Sequence, residues 1–202
     1  MDQEQLSSKD QIELLILRAD NIPQRLRYLR SARKINELER NYLLANMAIT
    51  VDGADEPIYF GNIMEFTGPA LLMAVIHCRF LLEFLGLKIR RKVNTPELMT
   101  RGCYQQSSED IGIEHFKSPT GASLQPLQLG VADNFSNPDE VRQAWAIVIA
   151  VANQRVAHST SDAKLGGIDS TTVSQAIEIA LDTVPELVCR EFYDRLGEAR
   201  PI

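Results

Sequence analysis

The stretch PALLMAVIHCRFLLEFLG, residues 69–86, is apolar on almost every side. A helix on the surface of a globular fold keeps a polar face, so a helix of this composition belongs in the middle of the fold. Thr67 is placed to cap this helix, Pro69 to open it and Gly86 to close it. We therefore predict a fold organised around a central helix over residues 69–86.

The central helix also carries charged and titratable side chains. Arg79 and Glu83 are four residues apart and share a strip of the helix with Leu72 and Ile76. Two interpretations are open: a buried polar spot that lines a binding site or a dimer seam, or an ordinary ion pair at the edge of the core. His77 falls on another face, where it can be a functional group or a core-edge histidine with a hydrogen-bond partner.

Two helices are predicted before the central helix. Ser8 and Gln11 form a capping box for a short helix. Asn21 is then expected to cap a new start, with Pro23 in the first turn of a long helix that runs to about Ala48. Apolar residues recur along this long helix at roughly helical spacing.

Two more helices are predicted after it. Asn137 and Pro138 begin a helix over residues 138–159, whose middle is apolar all round and should pack directly on the central helix. Asp169 or Ser170 caps the last helix, which is expected to run to about Gly197. Pro185 should kink or divide that helix.

Other segments lack helical periodicity. Residues 101–136 contain many Gly, Ser and Pro, which predicts a long irregular connection. Residues 94–97 are expected to begin a short helix, and residues 1–7 to form a disordered tail. The chain has 202 residues and is 45% hydrophobic, which suits one domain with a sizeable core. We predict an all-α helical bundle in a single domain over residues 1–202.

The overall charge argues against a general polyanion-binding surface, since the net charge is −6 and the pI is about 5.2. Two local clusters are nevertheless basic. Arg30 and Lys34 lie in the long helix, and Arg90 and Arg91 follow the central helix. These residues are candidates for contacts with phosphates, or they belong to solvated surfaces.

Cysteine and histidine positions give no sign of a metal or disulfide framework. The three cysteines are far apart and odd in number, and no spacing fits a zinc site. The polar, acidic N-terminus does not read as a signal peptide, and His77 and Arg79 interrupt the apolar stretch short of the roughly 18–20 residues of a membrane span. We expect a cytoplasmic protein with no membrane association, metal or cofactor.

The segment Asn153-Gln154-Arg155-Val156-Ala157-His158 is the best candidate for chemistry. Arg155 and His158 are three residues apart and share a helix face. The arginine could bind a phosphodiester in bidentate fashion while the histidine moves protons. The alternative is that both side chains complement the dipole of a helix C-terminus.

The pairing of IHCRFLLEFLG, residues 76–86, with the later ANQRVAHST, residues 152–160, resembles HEPN-type all-α domains, in particular their uncharacterised bacterial branch. Residues 110–116 are similar to a recurring acidic and aromatic spot in such proteins. The resemblance spans roughly residues 65–160. It implies a helical bundle that dimerises, and in many members a metal-independent ribonuclease of toxin–antitoxin or defence systems.

The catalytic motif of that family is an arginine and a histidine separated by four to six residues. Here two residues separate Arg155 from His158, and Asn153 occupies the position with four intervening residues. We therefore expect a homodimeric, non-catalytic HEPN-like binding or interaction module that associates with RNA or a nucleotide, with these three residues near the dimer seam. The alternatives are an endoribonuclease that uses Arg155 and His158, and a helical bundle that binds a small molecule.

Overall fold

The computed structural model describes residues 8–90, 95–101, 111–156 and 167–201. These residues form a mostly helical fold with a few short strands, which confirms the all-α prediction at the level of fold class. The predicted tail, residues 1–7, lies outside the described residues. The buried side chains gather in one hydrophobic core.

The described elements follow in chain order, each helix and strand numbered by type. They are α1 (Ser8–Ile16), a π-turn (Leu17–Asn21), α2 (Ile22–Tyr42), β1 (Asn46–Ile49), β2 (Tyr59–Asn62), α3 (Ile63–Phe84), β3 (Leu87–Ile89), β4 (Leu98–Thr100), two 3₁₀ turns (Ile113–His115 and Leu129–Asn134), α4 (Pro138–Val151), a π-turn (Ala152–Val156), α5 (Ser170–Val188), a π-turn (Cys189–Tyr193) and α6 (Asp194–Leu196).

Four helices, α2 to α5, pack as a bundle in which each contacts its neighbours and α3 contacts all three others. The run Ala144–Ala152 is buried throughout, as its apolar composition predicts, and α4 lies against α3. Trp145 is fully enclosed, and its indole N–H donates to the Thr183 hydroxyl of α5 at 2.8 Å. This bond satisfies the one polar atom of the indole inside the core.

The central helix is longer than predicted because its N-terminus lies further upstream. Asn62 caps α3, and its side-chain oxygen accepts the N–H of Met64 at 2.9 Å. Thr67 is therefore inside the helix, fully buried, with its hydroxyl near the Glu39 carboxylate and 3.1 Å from the Ile63 carbonyl. The predicted stop is correct, since Gly86 follows the helix with a φ of +95°.

The N-terminal helices differ from the prediction in two ways. Asn21 has helical backbone angles and no capping hydrogen bond, so α1 and α2 are joined through the π-turn without a break. The long helix stops at Tyr42, because Leu44 takes a φ of +75° and residues 46–49 pair with β2 as an antiparallel hairpin. Pairing partners 10 to 16 residues away outweigh local helical spacing here.

A second hairpin replaces the short helix expected at residues 94–97. Strands β3 and β4 pair antiparallel, and the Arg90 N–H donates to the Glu97 carbonyl at 2.9 Å. Pro96 disfavours helical angles in the residue before it, which suits an extended chain. From residue 111 onwards the predicted irregular connection is confirmed, with the two 3₁₀ turns as its only helical structure in the described part.

Pro185 does not divide the last helix. The chain is helical from Ser170 through Val188 and continues through the π-turn to Leu196, so the predicted division is wrong, and a kink at the proline stays a prediction. One side of α5 is buried against α2, α3 and α4, and this packing holds the helix together where one backbone hydrogen bond is missing. Gly197 ends it with a φ of +70°, as predicted.

Among the described residues, α3 is long and apolar enough to cross a membrane on length and composition, with a mean hydropathy of 1.3 over its best window. The expectation that this stretch is too short therefore fails for the full helix of 22 residues. A helix in the core of a bundle passes the same test, and α3 packs against three other helices.

Candidate functional site

The predicted catalytic group falls largely outside the described side chains. Asn153 is half-buried on the π-turn after α4, and this turn packs against α3. The backbone of Arg155 belongs to the same turn, but its side chain and all of His158 lie outside the described part of the structure. Their pairing, and their place at a dimer seam, stay predictions.

The ion pair predicted on the central helix is present. Arg79 Nε lies 3.0 Å from Glu83 Oε1, and the two side chains are 34% and 38% exposed. The structure thus places the pair at the edge of the core rather than inside it. Water at this exposure screens the attraction, so the pair contributes little to stability.

The described residues of the two basic clusters are exposed. Arg30 and Lys34 are exposed on the outer face of α2, and neither makes an ion pair with another described residue. Arg90 is exposed after β3, where Nε lies 3.5 Å from the Glu97 carboxylate. Arg91 lies outside the described residues.

The central helix leaves one apolar side open. Phe66, Leu72 and Met73 are exposed on α3, and Ile76 on the same helix is half-buried; we refer to these four residues as the α3 face. Leu72 is 45% exposed and Met73 is 50% exposed. These residues recur at the spacing of a single helix side, so they form a continuous strip. The most apolar helix of the chain is therefore only partly enclosed by its own fold.

A cleft of about 660 Å³ opens beside the C-terminal half of α3. The π-turn after α1, α2, the end of α3 and β3 form its walls. We name it the Arg25 cleft. Its apolar walls include Phe80, Leu87 and Ile111, and its charged side chains are Glu13, Arg25, Glu83, Lys88 and Arg101.

Arg25 holds an unusual position in this cleft. Its Nη1 donates to Nδ1 of His77 at 2.9 Å, and its Cζ lies 3.7 Å from the centre of the Phe80 ring. Its Nε is enclosed without a hydrogen-bond partner. Tyr28 stacks on the His77 ring, with 5.2 Å between the ring centres. The guanidinium thus lies between an imidazole and an aromatic face, with no carboxylate partner among the described residues.

The electrostatics of this pair follow from burial. Burial lowers the pKa of Arg25, because the charged guanidinium loses water. Burial also lowers the pKa of His77, and the positive charge of Arg25 adds to that shift. Since a guanidinium can only donate, His77 must accept at Nδ1 and stays neutral in this contact. The prediction that His77 has a hydrogen-bond partner at the core edge is confirmed.

Arg101, at another wall of the cleft, is already neutralised. Its Nη2 lies 2.6 Å from Glu114 Oε1, and both side chains are largely buried. Gly112 passes directly under the guanidinium, where a Cβ would lie 2.1 Å from Nη2. Glu114 belongs to the acidic and aromatic spot at residues 110–116, and its Oε2 is buried without a partner.

Sequence reasoning found Glu83 as a candidate but missed Arg25. Arg25 is one of several arginines in α2, and only its neighbours distinguish it. His77 is 52 residues away along the chain. The sequence contained one indication of its position. The apolar residues of α2 recur so that Arg25, two residues after Pro23, lies next to the buried side of the helix.

No group of three or more His, Cys, Asp or Glu side chains suited to a metal occurs among the described residues. In comparisons with known proteins, no family model, curated protein or solved structure matches this chain.

Proposed function

We propose that this protein is a non-catalytic, HEPN-like helical interaction module that works as a homodimer, with the α3 face as the seam. The observation that carries the proposal is the open apolar strip on the helix around which the fold is built. Leu72 and Met73 are about half exposed there, and Phe66 is 38% exposed. Burial of apolar area favours association at roughly 25 cal/mol per Å².

A two-fold dimer requires a surface that is complementary to itself. Glu65, Leu72 and Arg79 are spaced by seven residues, so they share one side of α3. If two copies of α3 cross antiparallel at Leu72, Arg79 of one copy lies beside the partner's Glu65. The apolar centre and the opposite charges at equal distances on either side support a second copy as the occupant.

Sedimentation velocity over a range of concentrations tests the seam. Wild type is expected to form a dimer, and Leu72→Glu to form a monomer. Ile12→Glu is the matched control, because Ile12 is an exposed apolar residue on α1, 57% exposed against 45% for Leu72. A wild-type monomer at all concentrations, or an unchanged Leu72→Glu dimer, would contradict the proposal.

Charge reversal tests the register. Arg79→Glu alone should weaken the dimer, because it brings two carboxylates together, and Arg79→Glu with Glu65→Arg should restore it. Failure of the double variant to recover would reject a crossing at Leu72, while the Leu72→Glu result still reports on the face itself.

RNA is the proposed ligand of the basic residues in this module. Arg30 and Lys34 support this, since both are exposed on α2 without an acidic partner in the described part of the chain. Each phosphate that they neutralise would release counterions, so affinity should fall steeply with salt. Binding measured by fluorescence anisotropy that is flat with salt, or unaffected when Arg30, Lys34, Arg90 and Arg91 are neutralised together, would exclude RNA as the ligand.

A further inference from the structure

We propose that the Arg25 cleft binds a small organic anion that has one anionic group and an apolar body. The anionic group contacts the Arg25 guanidinium, and the apolar body lies against the walls that include Leu87 and Ile111. Binding at this site does not require the dimer seam on the α3 face.

The positive charge of Arg25 has no carboxylate partner among the described residues. Most buried or half-buried charges in proteins are paired, because removal of water is costly. Arg25 instead contacts the neutral His77 and the Phe80 ring. Both contacts hold the guanidinium in one orientation, and neither supplies a negative charge. An anion in the cleft would supply it.

The orientation of the Arg25 guanidinium decides which of its nitrogen atoms can contact a ligand. His77 occupies Nη1, and Nε is enclosed by the protein. Nη2 is therefore the amino group that remains for an acceptor in the cleft, and it makes no hydrogen bond within the described ranges. One oxygen of a carboxylate or a phosphate can accept a charge-assisted hydrogen bond from it.

The composition of the cleft gives the class of ligand. Lys88 adds a second positive charge to the walls, while Glu13 and Glu83 place carboxylates nearby. Those carboxylates would repel a polyanion such as RNA, so the expected ligand carries a single anionic group. The remaining walls are mostly apolar, and a cleft of about 660 Å³ is of the usual size for small-molecule sites.

Isothermal titration calorimetry with three probes tests this site. The probes are 4-phenylbutyrate, the neutral 4-phenylbutanol and 4-phenylbutyl phosphate, which share an aromatic body and differ in the polar group. At least one anion is expected to bind at least tenfold more tightly than the alcohol, and the tighter anion identifies the head group. No saturable binding of either anion at millimolar concentration, or equal binding of the alcohol, would overturn the proposal.

Arg25→Met removes the charge and keeps most of the apolar stem. It should weaken binding of the anion at least tenfold, while Arg27→Met, on the exposed side of the same helix, should bind as wild type does. The same variants are compared without ligand. Because Arg25 is an uncompensated charge, Arg25→Met should melt at the same temperature as wild type or higher. Unchanged anion binding, or a lower melting temperature of the ligand-free variant, would show that Arg25 serves the fold instead.

Discussion

Gly86→Ala tests the junction between the central helix and the Arg25 cleft. Gly86 has a φ of +95°, and a Cβ there would lie 2.6 Å from Cβ of Pro126. The same junction carries two further contacts: the Gly86 carbonyl accepts the Arg101 N–H at 2.7 Å, and the Leu85 carbonyl accepts the Leu127 N–H at 2.9 Å. The strand that follows supplies two walls of the cleft.

The expected cost has two parts. A side chain at positive φ costs about 1–2 kcal/mol, and forcing a methyl group into a packed contact costs about 1–3 kcal/mol. Gly121→Ala is the matched control, because Gly121 has a φ of +84° but nothing within 4 Å of an added Cβ. Gly86→Ala should therefore lower the free energy of unfolding by about 2–5 kcal/mol, and Gly121→Ala by only the first part.

Urea unfolding followed by circular dichroism measures both variants. Equal destabilisation by Gly86→Ala and Gly121→Ala would refute the reasoning, since it would mean that Pro126 moves aside at no cost. If the anion site is present, Gly86→Ala should also weaken binding in the cleft, whereas Gly121→Ala should leave it unchanged.

Three further predictions concern the charged and titratable groups. Arg79→Ala should lower the free energy of unfolding by less than about 1 kcal/mol, because its ion pair is partly exposed. Urea unfolding measures this loss. A loss of about 3 kcal/mol or more, which is the cost of breaking a buried pair, would contradict the prediction. Because the pKa of His77 is lowered in the folded protein, the unfolded state binds the proton more readily. The free energy of unfolding should therefore fall as the pH drops below 6.5, the ordinary pKa of histidine. Arg25→Met should raise the pKa of His77, which a ring-proton NMR titration measures. Burial raises the pKa of Cys78 to about 12 and that of Cys189 to about 11. Both thiols should therefore react with a disulfide reagent at neutral pH only after the protein unfolds. Thiol labelling with and without urea measures this difference.

The features that local signals determine were predictable from the sequence. Apolar composition on all sides predicted that residues 144–152 are buried, and Gly86 and Gly197 end their helices where expected. The histidine at position 77 has the partner that its place at the core edge predicted. For the buried run and the two glycines, the physical cause lies within a few residues of the feature.

Features that depend on distant partners were not predictable. Strands of three or four residues, such as β3, are too short to show alternation, and their pairing is visible only in three dimensions. From composition alone, the residues of the α3 face are expected to be buried. The sequence does not show which side of the helix the rest of the chain covers. Arg25 became a candidate only through His77 and Phe80 on another helix.

The π-turn at Leu17–Asn21 allows a change in chain length next to the cleft. Such a turn contains one residue more than an α-helical turn, and two of its residues, Leu17 and Asn21, line the cleft. Deletion of one residue from the turn would leave an ordinary α-helical turn, so α1 would keep nearly the same side toward the cleft. Deletion of one residue inside α1 or α2 would instead rotate everything before it by about 100°. A lost codon at this turn would therefore alter the cleft less than a lost codon in either flanking helix.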